Sequence, residues 1–93
     1  MGPAKIERFQ FSTRFKRDFK KAQPDIKATA MAVFKALQAD SSAHRCHGLT
    51  GYKPTVYAAD LLSNHSWQIT FEMDGTTAML RRLGRHADID NRP

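Results

Sequence analysis

The chain has 93 residues, with 15 Lys+Arg against 9 Asp+Glu, a formal net charge of +6 and a sequence pI of about 9.9. That length predicts a single domain spanning residues 1–93, and a hydrophobic fraction of 41% is enough for one modest core, which excludes general disorder. No apolar run approaches ~18 residues, no signal-type stretch opens the chain, and the lone Cys46 has no internal disulfide partner. No membrane partner is therefore expected, and the expected compartment is the reducing cytoplasm. The positive excess favours an anionic partner.

In chain order, Ile6 to Phe11 (IERFQF) predicts a short first strand. Ser12 follows as a helix N-cap, because its hydroxyl can accept a bond from an orphan N–H one turn in. Phe15, Phe19 and Ala22 fall on one helical face, and Arg14, Lys16, Arg17, Lys20 and Lys21 occupy much of the remainder. Pro24 ends that helix and opens a second, with Asp25 at its positive end. Ile26, Ala30, Val33, Phe34 and Leu37 recur at helical intervals to about Ala39, so an antiparallel helical hairpin is expected. Asp40 to Gly51, rich in Asp, Ser, His and Gly, reads as a loop. Pro54 to Leu62 reads as a strand and Ser63 to His65 as a turn. In the clearest strand, Ser66 to Met73, Trp67, Ile69, Phe71 and Met73 alternate with Ser66, Gln68, Thr70 and Glu72. Asp74-Gly75 is a two-residue type I′ hairpin signal, Thr76 to Leu83 is the return strand, and Gly84 opens a tail. The order β-α-α-β-β-β predicts an α+β fold, a two-helix hairpin packed on one face of a small antiparallel sheet. The Trp67 series then faces the helices, and the Ser66 series faces an open side partly exposed to solvent.

Histidines and arginines carry the candidate chemistry. His44 and His47 stand three apart, but no third ligand follows at a suitable spacing, so no metal site is expected. His44 and His65 read as surface loop residues. His47 and His86 are candidates for acid–base work near neutral pH, against the plain alternative of solvated histidines. Arg81, Arg82 and Arg85 cluster at the end of the last strand beside His86. Strict alternation sends Arg81 and Arg82 to opposite faces. A guanidinium on the open face can bind a phosphate by two parallel bonds and stabilise charge building on its oxygens; the alternative is an ordinary charged strand end. Tyr52 and Lys53 offer a stacking ring and a phosphate contact, or else strand-entry packing with a solvated amine. The cations of the first helix are a solvated face or a surface for a polyanion.

Four stretches, in order, resemble the RelE/ParE toxin superfamily of bacterial type II toxin–antitoxin systems. FSTRFKRDFKK (11–21) resembles the family's opening, a strand ending in Phe-Ser and a basic helix. HGLTG (47–51) resembles its His-x-Leu-x-Gly loop, and WQITFEMDG (67–75) its aromatic central strand and hairpin. RLGRHADI (82–89) resembles its terminal Arg-x-Gly-x-His-x-Asp-hydrophobic signature. The fold so implied agrees with the order read from the pattern. Many members are ribosome-dependent endonucleases that cut mRNA in the ribosomal A site, whereas ParE-like members act on DNA gyrase.

The resemblance implies His86 as the general acid that protonates the departing 5′-oxygen and His47 as the base that activates the ribose 2′-OH. Arg82, or less readily Arg81, would stabilise the pentacoordinate charge. The product would be a 2′,3′-cyclic phosphate, with no metal or other cofactor. Lys53, Arg45, Arg81, Arg85, Tyr52 and the position of Gln68 would contact the RNA. The implied partner is a cognate acidic antitoxin, partly disordered, folding over the open sheet and over the first helix through Arg14, Arg17 and Lys21. Three departures stand out. Gln68 occupies a position where many active members carry Arg. Leu62 and Ser66 stand roughly where the His-rich branch has His and Asp, and no aromatic follows Asp88-Ile89. They keep open a gyrase-directed toxin and an inert protein that only binds an antitoxin.

Overall fold

A strand, two helices and four further strands follow one another: β1 (Arg8–Phe11), α1 (Thr13–Lys21), α2 (Pro24–Ala39), β2 (Cys46–Gly48), β3 (Tyr57–Leu61), β4 (Asn64–Asp74) and β5 (Thr77–Arg85). The computed structural model describes residues 5–39, 46–49, 51, 55–61 and 64–85.

The helices begin where local chemistry starts them. Ser12 has extended backbone and its hydroxyl accepts the Phe15 N–H at 3.0 Å, which satisfies one orphan donor of α1. Lys20 and Lys21 close α1 at its negative end. Pro24 opens α2, with Asp25 in the first turn. The apolar stripe of α2 is buried as its spacing requires: Ile26, Ala30, Val33, Phe34 and Leu37 all lie in the core. There they meet Phe15 of α1, Ala59 and Leu61 of β3, Ile69 and Phe71 of β4, and Ala78, Leu80 and Leu83 of β5. Rings tie the layers together: Phe34 stands 5.0 Å from Phe9 and 6.0 Å from Phe15, and Tyr57 stacks on Phe71 at 5.6 Å.

The five strands run in the order β1-β5-β4-β3-β2. The α+β arrangement, the helical hairpin and the meander agree with the sequence pattern, while several details differ: β4 begins at Asn64, inside the expected turn, and β5 runs through Gly84 to Arg85. β1 pairs with β5 in parallel, so the sheet is mixed. Parallel neighbours need a long connection, and here the first and last strands are joined by everything between them. Cys46–Gly48, inside the expected loop, forms a short edge strand against β3. The final hairpin turns at Gly75-Thr76, one residue later than expected, because Asp74 and Thr77 still pair. Gly75 has φ 61° and, among the described residues, no non-glycine has positive φ. That suits a loop with glycine at its first centre and excludes a type I′ turn, which needs positive φ at both.

Ser12 joins helix start to sheet, since its hydroxyl also donates to the Arg81 carbonyl at 3.1 Å. Ser12→Ala removes both bonds. We expect a loss of about 1–2 kcal/mol in urea unfolding, largely restored in Ser12→Thr; equal stability of S12A and wild type would show that the junction does not depend on this hydroxyl.

Candidate nucleic-acid interface

The arginine cluster is built by an interruption in β5. Thr70 pairs with Arg82 and Phe71 with Leu80, so Arg81 is an extra residue in the ladder, a β-bulge. Alternation on either side keeps Leu80 and Leu83 in the core. The bulge overturns the expectation that Arg81 and Arg82 part to opposite faces: both line one groove of about 290 Å³, together with Gln10, Ser12, Arg14 and Glu72. Strict alternation fails because two residues of β5 oppose one of β4 at this point.

Each of the two arginines has a carboxylate partner. The Arg81 guanidinium donates to Glu72 at 2.6 Å across the hairpin. Arg82 Nε donates to Asp18 of α1 at 3.1 Å, and the same carboxylate oxygen accepts the Leu83 N–H at 3.1 Å. These carboxylates were not singled out from sequence. Asp18 did leave a signal, as the single acidic residue among five cations of α1. Arg14, expected in the antitoxin contact, borders this arginine groove, while Arg17 and Lys21 are exposed on the same helix.

The other candidate residues distribute as follows. The backbone register aligns His47 with Ala58, Ala58 with Thr70, and Thr70 with Arg82, one row across four strands. His86, Lys53, Tyr52 and Arg45 lie outside the described residues. Arg85 is exposed and pairs with Trp67, its guanidinium 5.8 Å from the ring centroid, and it is not among the residues lining the groove. Gln68 is 2% exposed, between Asp60 and Gly84 in register. The face of β4 expected to be open is therefore closed at its centre: Gln68 and Thr70 are buried, Glu72 is half-buried and Ser66 is exposed. β4 is the middle strand, flanked on both sides, which shields its polar residues more than an edge would. Among the described residues no group of three His, Cys, Asp or Glu is placed to hold a metal ion, and no helix is long and apolar enough to cross a membrane.

A second groove, also about 290 Å³, is wholly apolar and lies between β1 and the helices: Phe11, Phe15, Phe19, Met31 and Phe34 line it. Phe11 and Met31 are exposed, and Lys27 holds its ammonium 5.9 Å from the Phe19 ring. Phe11 borders both grooves.

This combination of helical hairpin and mixed sheet is the fold of the RelE and YafQ toxins. Two solved structures match with TM-scores of 0.70. One is the RelB–RelE antitoxin–toxin complex from Methanococcus jannaschii, at 20% identity over 90% of this chain and 99% of that chain. The other is the DinJ–YafQ toxin–antitoxin complex from E. coli, at 19% identity over 90% of this chain and 98% of that chain. A metal-bound toxin from Helicobacter pylori matches at TM-score 0.64 and 16% identity, over 90% of this chain and 99% of that one. No family model matches the chain, and no curated protein sequence matches it.

Thr70, opposite Arg82, is fully buried and its hydroxyl has no hydrogen-bond partner among the described residues. An unsatisfied buried hydroxyl is destabilising, so Thr70→Val should raise stability by on the order of 1 kcal/mol. A lower urea midpoint in T70V would show that the hydroxyl is satisfied.

Proposed function

We propose that this chain is the toxin of a type II toxin–antitoxin pair and that it stops translation in the bacterial cytoplasm by cutting mRNA on the ribosome. The observation that carries this reading is the groove of Arg14, Arg81 and Arg82 on a RelE/YafQ-type fold. Three arginines line it, two of them paired with the carboxylates of Glu72 and Asp18. A guanidinium is the side chain suited to a phosphate whose negative charge grows in the transition state.

In this reading His47 takes the proton of a ribose 2′-OH. The 2′-oxygen attacks the adjacent phosphorus, and a pentacoordinate phosphorane forms under the guanidinium of Arg82. The bond to the 5′-oxygen breaks as His86 donates a proton to it. A 2′,3′-cyclic phosphate and a 5′-hydroxyl result, and no metal enters any step. Lys53, Arg45, Arg81, Arg85 and Tyr52 hold the RNA. His86 supports the reading by sequence, since it follows the last residue of β5 directly. A ParE-like action on gyrase is the second reading. It is favoured by Gln68, which is neutral and buried where many active relatives carry Arg.

The cognate antitoxin is the proposed partner. The apolar groove gives its side chains a seat, and Arg14, Arg17, Lys21 and Lys27 give its carboxylates counter-charges.

Added to a translation reaction, the protein should produce discrete cuts by primer extension, and Arg82→Ala should slow them by ~10²–10³-fold. Intact mRNA with full protein synthesis would remove the nuclease reading, and loss of gyrase supercoiling in the same preparation would install the second. The product of the adjacent small reading frame should co-purify with the chain. Charge reversal at Arg14, Arg17 and Lys21 together should weaken that complex at least tenfold at low salt, with a shallower salt dependence; unchanged affinity would place the antitoxin elsewhere.

A further inference from the structure

We propose that Asp18 is a positioning residue for Arg82, setting the plane of the guanidinium that faces the substrate phosphate. The proposal rests on the nuclease reading above and adds a residue that this reading leaves without a task.

The geometry is specific. Asp18 belongs to a helix with cations at Arg14, Lys16, Arg17, Lys20 and Lys21, several of them within one turn of it. Its carboxylate nevertheless reaches a strand 64 positions further along the chain. Oxygen Oδ2 accepts both Arg82 Nε–H and the backbone Leu83 N–H, each at 3.1 Å. The backbone bond fixes the carboxylate relative to β5. The carboxylate then fixes Nε, and because a guanidinium is planar, holding Nε sets the direction of both Nη groups. The two side chains are 19% and 17% exposed, so the pair is sheltered from competing water, and Arg82 lines the groove shared with Arg14 and Arg81. A catalytic guanidinium held in advance loses less freedom when the phosphorane forms.

The alternative is that Asp18 only satisfies the Leu83 N–H at the strand edge. Asp18→Asn separates the two roles, because its amide oxygen can still accept the Leu83 N–H while the charge that holds Arg82 is gone. Single-turnover cleavage by D18N on programmed ribosomes should fall about tenfold at saturation, with the half-saturating ribosome concentration nearly unchanged. In an Arg82→Ala background the same substitution should have no further effect, because the group it acts through is absent. Wild-type rates in D18N, or an equal loss in both backgrounds, overturn the proposal. Thermal melts of all four proteins run alongside, and Asp18→Glu serves as the second variant, expected to recover part of the rate.

If the wild-type protein cleaves no mRNA, the nuclease reading fails by itself and the positioning of Arg82 is judged by NMR. Exchange of the Arg82 Nε–H with solvent should be at least tenfold faster in D18N than in wild type. Equal exchange rates overturn the positioning role.

Discussion

β1 has four residues and β5 has nine, so β5 runs on past the end of its parallel neighbour. The backbone groups along that overhang need partners, because a bare strand edge is both a loss of hydrogen bonds and a template for aggregation. The chain solves this by turning into α1 at the point where β1 stops. Ser12 donates its N–H to the Leu80 carbonyl and its hydroxyl to the Arg81 carbonyl, and Asp18, a turn and a half further on, accepts the Leu83 N–H. A helix thus continues an edge that a strand began. This junction fixes α1 against β5, brings its basic face beside the arginines of β5, and determines which side chains border the groove.

The bulge at Arg81 is the second consequence of the same region. An extra residue there lets β5 keep Leu80 and Leu83 in the core while both intervening arginines line one groove. Cations lining one groove repel one another, and the carboxylates of Glu72 and Asp18, paired with Arg81 and Arg82, offset that repulsion. Among the described residues the groove sets Arg14, Arg81 and Arg82 against Glu72 and Asp18, so affinity for a polyanion would draw on the wider basic surface and orientation on the groove.

The helices were legible because their signals are local. Ser12, Pro24 and the stripe from Ile26 to Leu37 each act within a turn or two, and all behave as their chemistry dictates. The alternation of β4 was equally plain, as were the identities of Arg81 and Arg82. What pattern reading missed depends on residues far apart in sequence. The parallel pairing of β1 with β5 leaves no mark in a run of four residues. The bulge is invisible because RR in a strand fits either alternation until its neighbour's register is known. The bond from Asp18 to Arg82 spans 64 positions, and only the surplus of cations around Asp18 marked it as a residue without a task on its own helix. The burial of Gln68 is equally non-local, because the exposure of a sheet face depends on neighbouring strands and on whatever packs over it, not on the strand's own alternation.

Phe11 joins the two grooves. It is the last residue of β1, exposed, with its ring 5.4 Å from Phe15 and 5.7 Å from Phe34, and it borders the arginine groove on its other side. A protein segment seated on Phe15, Phe19 and Met31 therefore meets Phe11 before it meets Arg81 and Arg82. An acidic stretch continuing from such a segment would cross directly onto the groove lined by Arg81 and Arg82. Apolar burial would supply the affinity of that partner, and charge would decide where it runs. On the proposed reading, inhibition by such a partner requires no change of shape in this chain. That reading needs only that the two proposed ligands, one anchored through aromatic rings and one through phosphate, use the same arginines of β5.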